Sequence, residues 1–169
     1  MQAELMVLRV VHIVGGVFWV GAMTFNAFLL GPAMAAAGPA AGPVAVNLVK
    51  RKVTTVMPLS AILTMLAGLR LMMITSTGFS RDYFSQPNGM TYAVGAVFAI
   101  LGFVVGMVVT RPAMMKVASL GAAAASDETT RERIGAELRS MQERARSSNM
   151  IVSALLLIAA ACMAVARYL

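Results

Sequence analysis

The first candidate for chemistry is a histidine within an otherwise apolar stretch, V-V-H-I-V-G-G-V-F-W-V-G-A-M-T-F, residues 10–25. This stretch contains the chain's one histidine, His12, and its one tryptophan, Trp19. A neutral imidazole is a common ligand for metals and haem iron, and ionisable side chains inside membrane segments are usually functional. The stretch therefore predicts a metal or haem ligand at His12. The competing interpretation is a histidine that bonds a neighbouring carbonyl or hydroxyl and serves packing.

Four more residues share the surroundings of His12. Gly16 lies one helical turn on and leaves room for another helix or for a flat macrocycle. Arg9 lies one turn before His12, and Arg70 lies near the same end of a later apolar segment. Both arginines are placed to pair with an anion such as a propionate, or to reach lipid headgroups by snorkelling. The candidate cofactor-binding residues are His12, Trp19, Arg9, Arg70 and Gly16.

The chain has few side chains that could bind a metal, because it contains one histidine and one cysteine, Cys162. Catalytic triads and closed zinc sites need more of these residues. Three ligand sets stay open for His12: a methionine partner, a five-coordinate haem, or a haem shared by two copies of the chain. Thioethers also suit Cu(I), whereas methionine more commonly fills irregular gaps in apolar cores. The methionines considered are Met57, Met65, Met72, Met73 and Met107.

The composition places these residues in a membrane. The chain is 59% hydrophobic and only 12% charged, with a mean hydropathy of +0.80, whereas a soluble domain carries about 25% charged residues. The net charge of +7 is typical of a membrane protein with basic cytoplasmic loops. We therefore do not expect the protein to bind nucleic acid.

Four segments have about the 20 apolar residues that a membrane helix needs. Since backbone groups in lipid must pair internally, each segment is predicted to be helical. The fold class is therefore all-α, a bundle of four transmembrane helices in one domain. The first segment is preceded by Glu4 and is too long for a cleaved signal peptide, so we expect it to span. The segments are residues 5–30, 53–75, 91–110 and 150–168.

The connections differ in character. Residues 31–43 hold three Gly-Pro pairs and are predicted to break the first helix. Residues 126–149 predict a charged helix with Ser126 as N-cap and Asp127 in its first turn. Because no breaker precedes Met150, this helix is expected to run into the fourth span and to project from the membrane. We identify no internal repeat in the sequence.

Basic residues set the predicted orientation. The first and third connections carry ten Lys and Arg residues against one, Arg81, in the second. By the positive-inside rule these two connections are cytoplasmic, and both termini lie outside, in the periplasm of a bacterium. The ten are Lys50, Arg51, Lys52, Arg111, Lys116, Arg131, Arg133, Arg139, Arg144 and Arg146.

Three glycines, Gly95, Gly102 and Gly106, share one face of the third span. Small residues with this spacing let helix backbones approach closely in membranes. This face predicts packing within the bundle, or contact with a second copy or another membrane subunit.

The pattern H-x6-W-x-G, from His12 to Gly21, resembles the first helix of CopD-type membrane proteins. It is also similar to the first helix of HemJ-type protoporphyrinogen oxidases, where the matching histidine is understood to ligate haem b. The stretch L-T-M-L-A-G-L-R-L-M, residues 63–72, resembles the end of a later helix in the same broad group. HemJ-type enzymes place an aromatic-Pro-Arg sequence soon after the tryptophan, where this chain reads F-N-A-F-L-L-G-P-A-M.

The resemblance implies a bacterial inner-membrane protein that binds haem b, or else copper, through His12. Its expected role is electron transfer or metal handling, with no catalytic residue. The alternative is a non-catalytic subunit that packs in a larger membrane complex, since no P-loop, nucleophile elbow or other catalytic motif is present. A HemJ-like porphyrinogen oxidase is the third hypothesis.

Overall fold

Helices follow one another along the described part of the chain, residues 2–124 and 128–169, in a computed structural model. π turns join α1 to α2 and α6 to α7, at Asn26–Leu30 and Gly106–Thr110, and 3-10 turns cover Gly38–Ala40 and Ala166–Tyr168. The predicted N-cap Ser126 and its neighbour Asp127 lie outside the described residues. The α-helices are α1 (Gln2–Phe25), α2 (Gly31–Ala37), α3 (Ala41–Lys50), α4 (Val53–Thr75), α5 (Arg81–Ser85), α6 (Pro87–Val105), α7 (Arg111–Ala124) and α8 (Glu128–Val165).

Four continuous helical stretches of the described chain are long and apolar enough to cross a membrane: Gln2–Ala37, Val53–Thr75, Pro87–Ala124 and Glu128–Tyr168. These stretches confirm the predicted all-α fold and define a multi-pass membrane protein. The first and third run past their predicted ends because α2 and α7 continue them. The fourth confirms that the charged helix and the last span are one uninterrupted helix, α8.

The predicted break after the first span is wrong at Gly31 and Pro32. A proline inside a helix loses one hydrogen bond and clashes with the carbonyl four residues back. Here the π turn comes just before it, and the N–H of Gly31 donates to the carbonyl O of Asn26. The wider turn lets the helix continue across the proline. The break falls at Gly38, whose φ of 55° suits glycine.

A π turn before a proline also occurs in the third span. We did not identify this repeat from the sequence alone. The N–H of Arg111 donates to the carbonyl O of Gly106, closing a π turn directly before Pro112. In both halves the π turn is followed by x-Pro-Ala-Met, at residues 31–34 and 111–114. The described chain forms two helical hairpins, α1 with α4 and α6 with α8. The first span of each hairpin has a π turn directly before a proline.

Trp19 lies where the two hairpins meet. Helix α1 packs against α4, and α6 packs against α8. Trp19 is 5% exposed and clusters with Ala61 of α4 and Val152 and Leu156 of α8. Its ring meets that of Phe103 edge to face, with 6.3 Å between centroids. This side chain of α1 is thus a core element that contacts three other helices, α4, α6 and α8.

The basic end of the bundle carries an additional helical layer. Helix α7 packs against α8, and α3 packs against α7. Lys116 of α7 forms an ion pair with Glu137 of α8 at 3.1 Å, and both side chains are half exposed, so the pair contributes little. The layer holds most of the basic residues that set the predicted orientation.

The glycine face of the third span packs against the fourth span, which is one of the uses that the sequence predicted for it. A β-carbon at Gly95 would lie 3.0 Å from Cβ of Cys162, and one at Gly102 would lie 3.2 Å from Leu156. Both neighbours belong to α8. These glycines therefore let α6 and α8 approach each other closely.

Candidate functional site

His12 forms a hydrogen bond to the second span. The N–H at Nδ1 donates to the carbonyl oxygen of Thr64 in α4, with 2.8 Å between the atoms. A carbonyl can only accept, so Nδ1 carries a proton, and in the neutral imidazole Nε2 then has the lone pair. The residue is half-buried. In the neutral imidazole, Nε2 is therefore the ring nitrogen that could bind a metal ion.

Gly68, which sequence reasoning did not single out, allows this contact. A β-carbon at Gly68 would lie 2.6 Å from Cε1 and 2.8 Å from Nδ1 of His12. Only a residue without a side chain lets the imidazole rest directly on α4. The available signal was the spacing of Thr64 and Gly68, which are four residues apart and so share one helix face.

The space at Gly15 and Gly16 is taken by α4. A β-carbon at Gly15 would lie 2.5 Å from Oγ1 of Thr64, and one at Gly16 would lie 3.6 Å from its Cγ2. The hydroxyl of Ser60 donates to the carbonyl of Gly15 at 3.2 Å. The predicted room for a macrocycle at Gly16 is therefore filled by a helix, the other occupant that the sequence allowed.

The two candidate arginines have different surroundings. Arg70 donates from Nε and Nη2 to Oε1 of Glu4, at 2.9 Å and 2.6 Å. The two side chains are 47% and 42% exposed. Arg9 lies on the exposed surface of α1, in a shallow groove of about 420 Å³. The structure thus gives Arg70 a carboxylate partner and leaves Arg9 as the candidate arginine without an ion pair in the described chain.

The sulfur-containing side chains that could bind a soft metal lie in different parts of the fold. Met65 packs against the core around Trp19, and Sδ of Met73 lies 3.9 Å from Nη1 of Arg70. Cys162 faces Gly95 at the α6–α8 contact. Within residues 2–124 and 128–169, no cluster of three His, Cys, Asp or Glu residues is positioned to hold a metal. A metal at His12 would depend on Nε2 together with ligands of another kind.

A second polar region lies near the π turn of the first span. Ser153, fully buried, and Asn149, 3% exposed, both donate from α8 to the carbonyl of Met23, at 3.0 Å and 3.4 Å. Asn149 also lines a cavity of about 1070 Å³ at the basic end of the molecule. Sequence reasoning missed this region, although the polar residues Ser148, Asn149 and Ser153 at the start of the last span marked it.

Fold and site together define an all-α, multi-pass membrane protein with one half-buried histidine between its first two spans. The chain matches no protein-family model, no curated protein and no solved structure.

Proposed function

We propose that the chain is a bacterial inner-membrane protein of CopD-like type that binds haem b through Nε2 of His12 and serves electron transfer or metal handling. One observation carries the proposal: Nδ1 of His12 donates to the carbonyl of Thr64. Histidines that ligate metals almost always donate their other N–H to a carboxylate or a carbonyl. The bond orients the ring and keeps Nε2 free for iron.

The residues around His12 limit how a haem would be held. When bound, haem supplies a one-electron iron couple. Neither cavity described above is lined by His12, so we expect binding at the surface of the α1–α4 pair, with lipid or a second protein opposite. Of the two candidate arginines, Arg9 is the one without an ion pair in the described chain and would bind a propionate, because Arg70 already binds Glu4. For the second iron ligand, three possibilities stay open: a methionine, no ligand in a five-coordinate haem, or His12 of a second copy of the chain. Copper with thioether ligands is the alternative metal.

The charge distribution supports a membrane orientation. The layer built from α3, α7 and the first half of α8 holds the basic connections, which we propose to be cytoplasmic. His12 then lies toward the periplasm. We expect impermeant maleimide to label Ser85→Cys on intact cells and Ser140→Cys only after lysis, both in a Cys162→Ser background. The reverse pattern would overturn this orientation.

Visible spectra of the purified protein test the haem proposal. We expect a Soret band in the wild type that is lost in both His12→Ala and His12→Asn. Asparagine is the matched control because its amide N–H reaches the position of Nδ1 and keeps a donor for Thr64, while it offers no atom at Nε2. Equal Soret bands in all three proteins, or no band in wild-type protein supplied with haem, would overturn the proposal.

The tryptophan offers an independent readout. Trp19 is the one tryptophan of the chain and lies seven residues from His12, about 10 Å along a helix that rises 1.5 Å per residue. Because haem absorbs at the wavelengths where tryptophan emits, haem titration should quench Trp19 in the wild type. We expect His12→Asn to fold normally and to show much weaker quenching.

A non-catalytic subunit of a membrane complex is the second candidate. It is favoured because the polar and glycine residues around His12 already form the contacts between α1 and α4. On this hypothesis the native protein co-purifies with other chains, contains no haem, and keeps its partners in His12→Asn. Protoporphyrinogen turnover by the purified protein would instead favour the HemJ-like hypothesis.

A further inference from the structure

The cavity at the basic end has two unlike sides. Small and apolar residues of α2, α3 and α7 form one side, among them Met34, Ala45, Val49 and Ala118. One face of α8 forms the other side, from Glu128 to Asn149, a distance of about 30 Å at 1.5 Å per residue. The volume of about 1070 Å³ is at the upper end of the roughly 300–1,000 Å³ usual for small-molecule sites. The shape is therefore that of a long, amphipathic trough.

The charges along the α8 side balance. This side presents three arginines and three glutamates, and Arg131 pairs with Glu128 at 3.5 Å. An ionic ligand would meet as many like charges as opposite ones, so the trough does not favour a net charge. The lining residues with charge are Glu128, Arg131, Glu132, Arg139, Glu143 and Arg146.

A residue at the inner end of the trough has a buried, unsatisfied acceptor. Asn149 lines it and is 3% exposed. Because its Nδ2 donates to the carbonyl of Met23, Oδ1 is the atom left over, and it has no hydrogen-bond partner in the described chain. A buried acceptor without a partner has lost its hydration without gaining a hydrogen bond in return, which is unfavourable. A ligand that brings an O–H or N–H to this point would remove that cost.

We propose that this trough binds an uncharged, elongated amphiphile whose hydroxyl or amide N–H donates to Oδ1 of Asn149 and whose apolar body lies along α3 and α7. The apolar side of the trough would contact the apolar part of the ligand, and its balanced charges favour a ligand without net charge. The unpartnered Oδ1 of Asn149 would accept the ligand's O–H or N–H. The site is separate from His12 and does not depend on haem binding.

Photolabelling of the full chain in detergent tests the proposal. The probe is dodecanol with a diazirine in its chain, and the comparison is its methyl ether, which has the same shape but no donor. We expect the alcohol to label peptides of α3 and of α8 near Asn149 several-fold more than the ether. Exposed positions on α1, such as Val17, should take up both probes equally and serve as an internal reference.

Variants locate the labelling. Asn149→Leu removes the acceptor and is expected to abolish the preference for the alcohol. Gly135→Phe and Gly121→Phe fill the trough and should lower its labelling by both probes. Both glycines have room for a side chain, since a β-carbon at Gly121 meets nothing within 4 Å and one at Gly135 lies 3.7 Å from Arg139. They also leave the Asn149 bond in place, so they test the site even if Asn149→Leu fails to fold.

Gly21→Phe is the matched control, because Gly21 lies exposed on α1 with no atom within 4 Å of its β-carbon position. This variant should label like the wild type. Equal labelling of the trough by alcohol and ether, or labelling that persists in both Gly135→Phe and Gly121→Phe, would overturn the proposal.

Discussion

The imidazole of His12 rests on the backbone of Gly68, where a β-carbon would come within 2.6 Å of Cε1. This approach brings Nδ1 to 2.8 Å from the carbonyl oxygen of Thr64. Gly68 thus determines how closely the second span meets the histidine. Through the bond to Thr64 it also determines which ring nitrogen keeps its lone pair.

Gly68→Ala should therefore separate His12 from α4. The added methyl group overlaps the ring, and overpacking of this kind costs about 1–3 kcal/mol. We expect a lower free energy of unfolding in detergent and, if haem binds, a weakened Soret band. Gly21→Ala is the control, since its β-carbon meets nothing, and it should match the wild type. Unchanged stability in Gly68→Ala would contradict the contact.

The hydroxyl of Thr64 should be dispensable, although its backbone carbonyl is not. Its Oγ1 is buried without a partner in the described chain, while the bond to His12 uses the backbone. Thr64→Val keeps the shape and removes the unsatisfied hydroxyl. Such a change is nearly neutral or stabilising, by up to about 1 kcal/mol. Measured unfolding free energies should rank Thr64→Val at or above the wild type and His12→Ala below it. A large loss in Thr64→Val would show that the hydroxyl has a partner.

Much of the fold was predictable because a membrane imposes simple rules. Span length, internal backbone pairing and the missing breaker before Met150 were enough to predict four helices and the continuity of α8. The helix across Pro32 was not predictable in the same way. Whether a proline ends a helix or is accommodated by a π turn depends on how neighbouring helices and side chains satisfy the freed backbone groups, which the local sequence does not specify.

The candidate site was predictable only in part. The apolar setting of His12 marked it as a candidate ligand or as a histidine bonded to a neighbouring carbonyl or hydroxyl, and the structure gives it a carbonyl partner, Thr64. The identity of that partner depends on which face of α4 meets α1, and the four-residue spacing of Thr64 and Gly68 is too common in helices to identify that face. Trp19 appeared with His12 because both lie on one face of α1, yet packing between the hairpins places Trp19 in the core.

The ion pair between Arg70 and Glu4 should contribute little to stability. Both side chains are nearly half exposed, and exposed pairs contribute about 0–1 kcal/mol. A double-mutant cycle with Arg70→Gln and Glu4→Gln is expected to give a coupling below about 1 kcal/mol that shrinks with added salt. Arg70→Gln should also leave any Soret band unchanged, whereas Arg9→Gln should weaken haem retention. Loss of haem in Arg70→Gln alone would assign the propionate to Arg70 instead.

Ser153 should matter more than its size suggests. It is fully buried, and its hydroxyl donates to the carbonyl of Met23 at 3.0 Å, which links α8 to α1 beside the π turn. Interhelical hydrogen bonds in membranes average about 0.6 kcal/mol and reach about 1.7 kcal/mol. We expect Ser153→Ala to fall in the upper half of that range, because the remaining donor, Asn149, is farther away at 3.4 Å. Ser140→Ala, at an exposed position of α8, is the control for loss of a hydroxyl. Equal unfolding free energies for the two variants would show that the Met23 carbonyl is satisfied without Ser153.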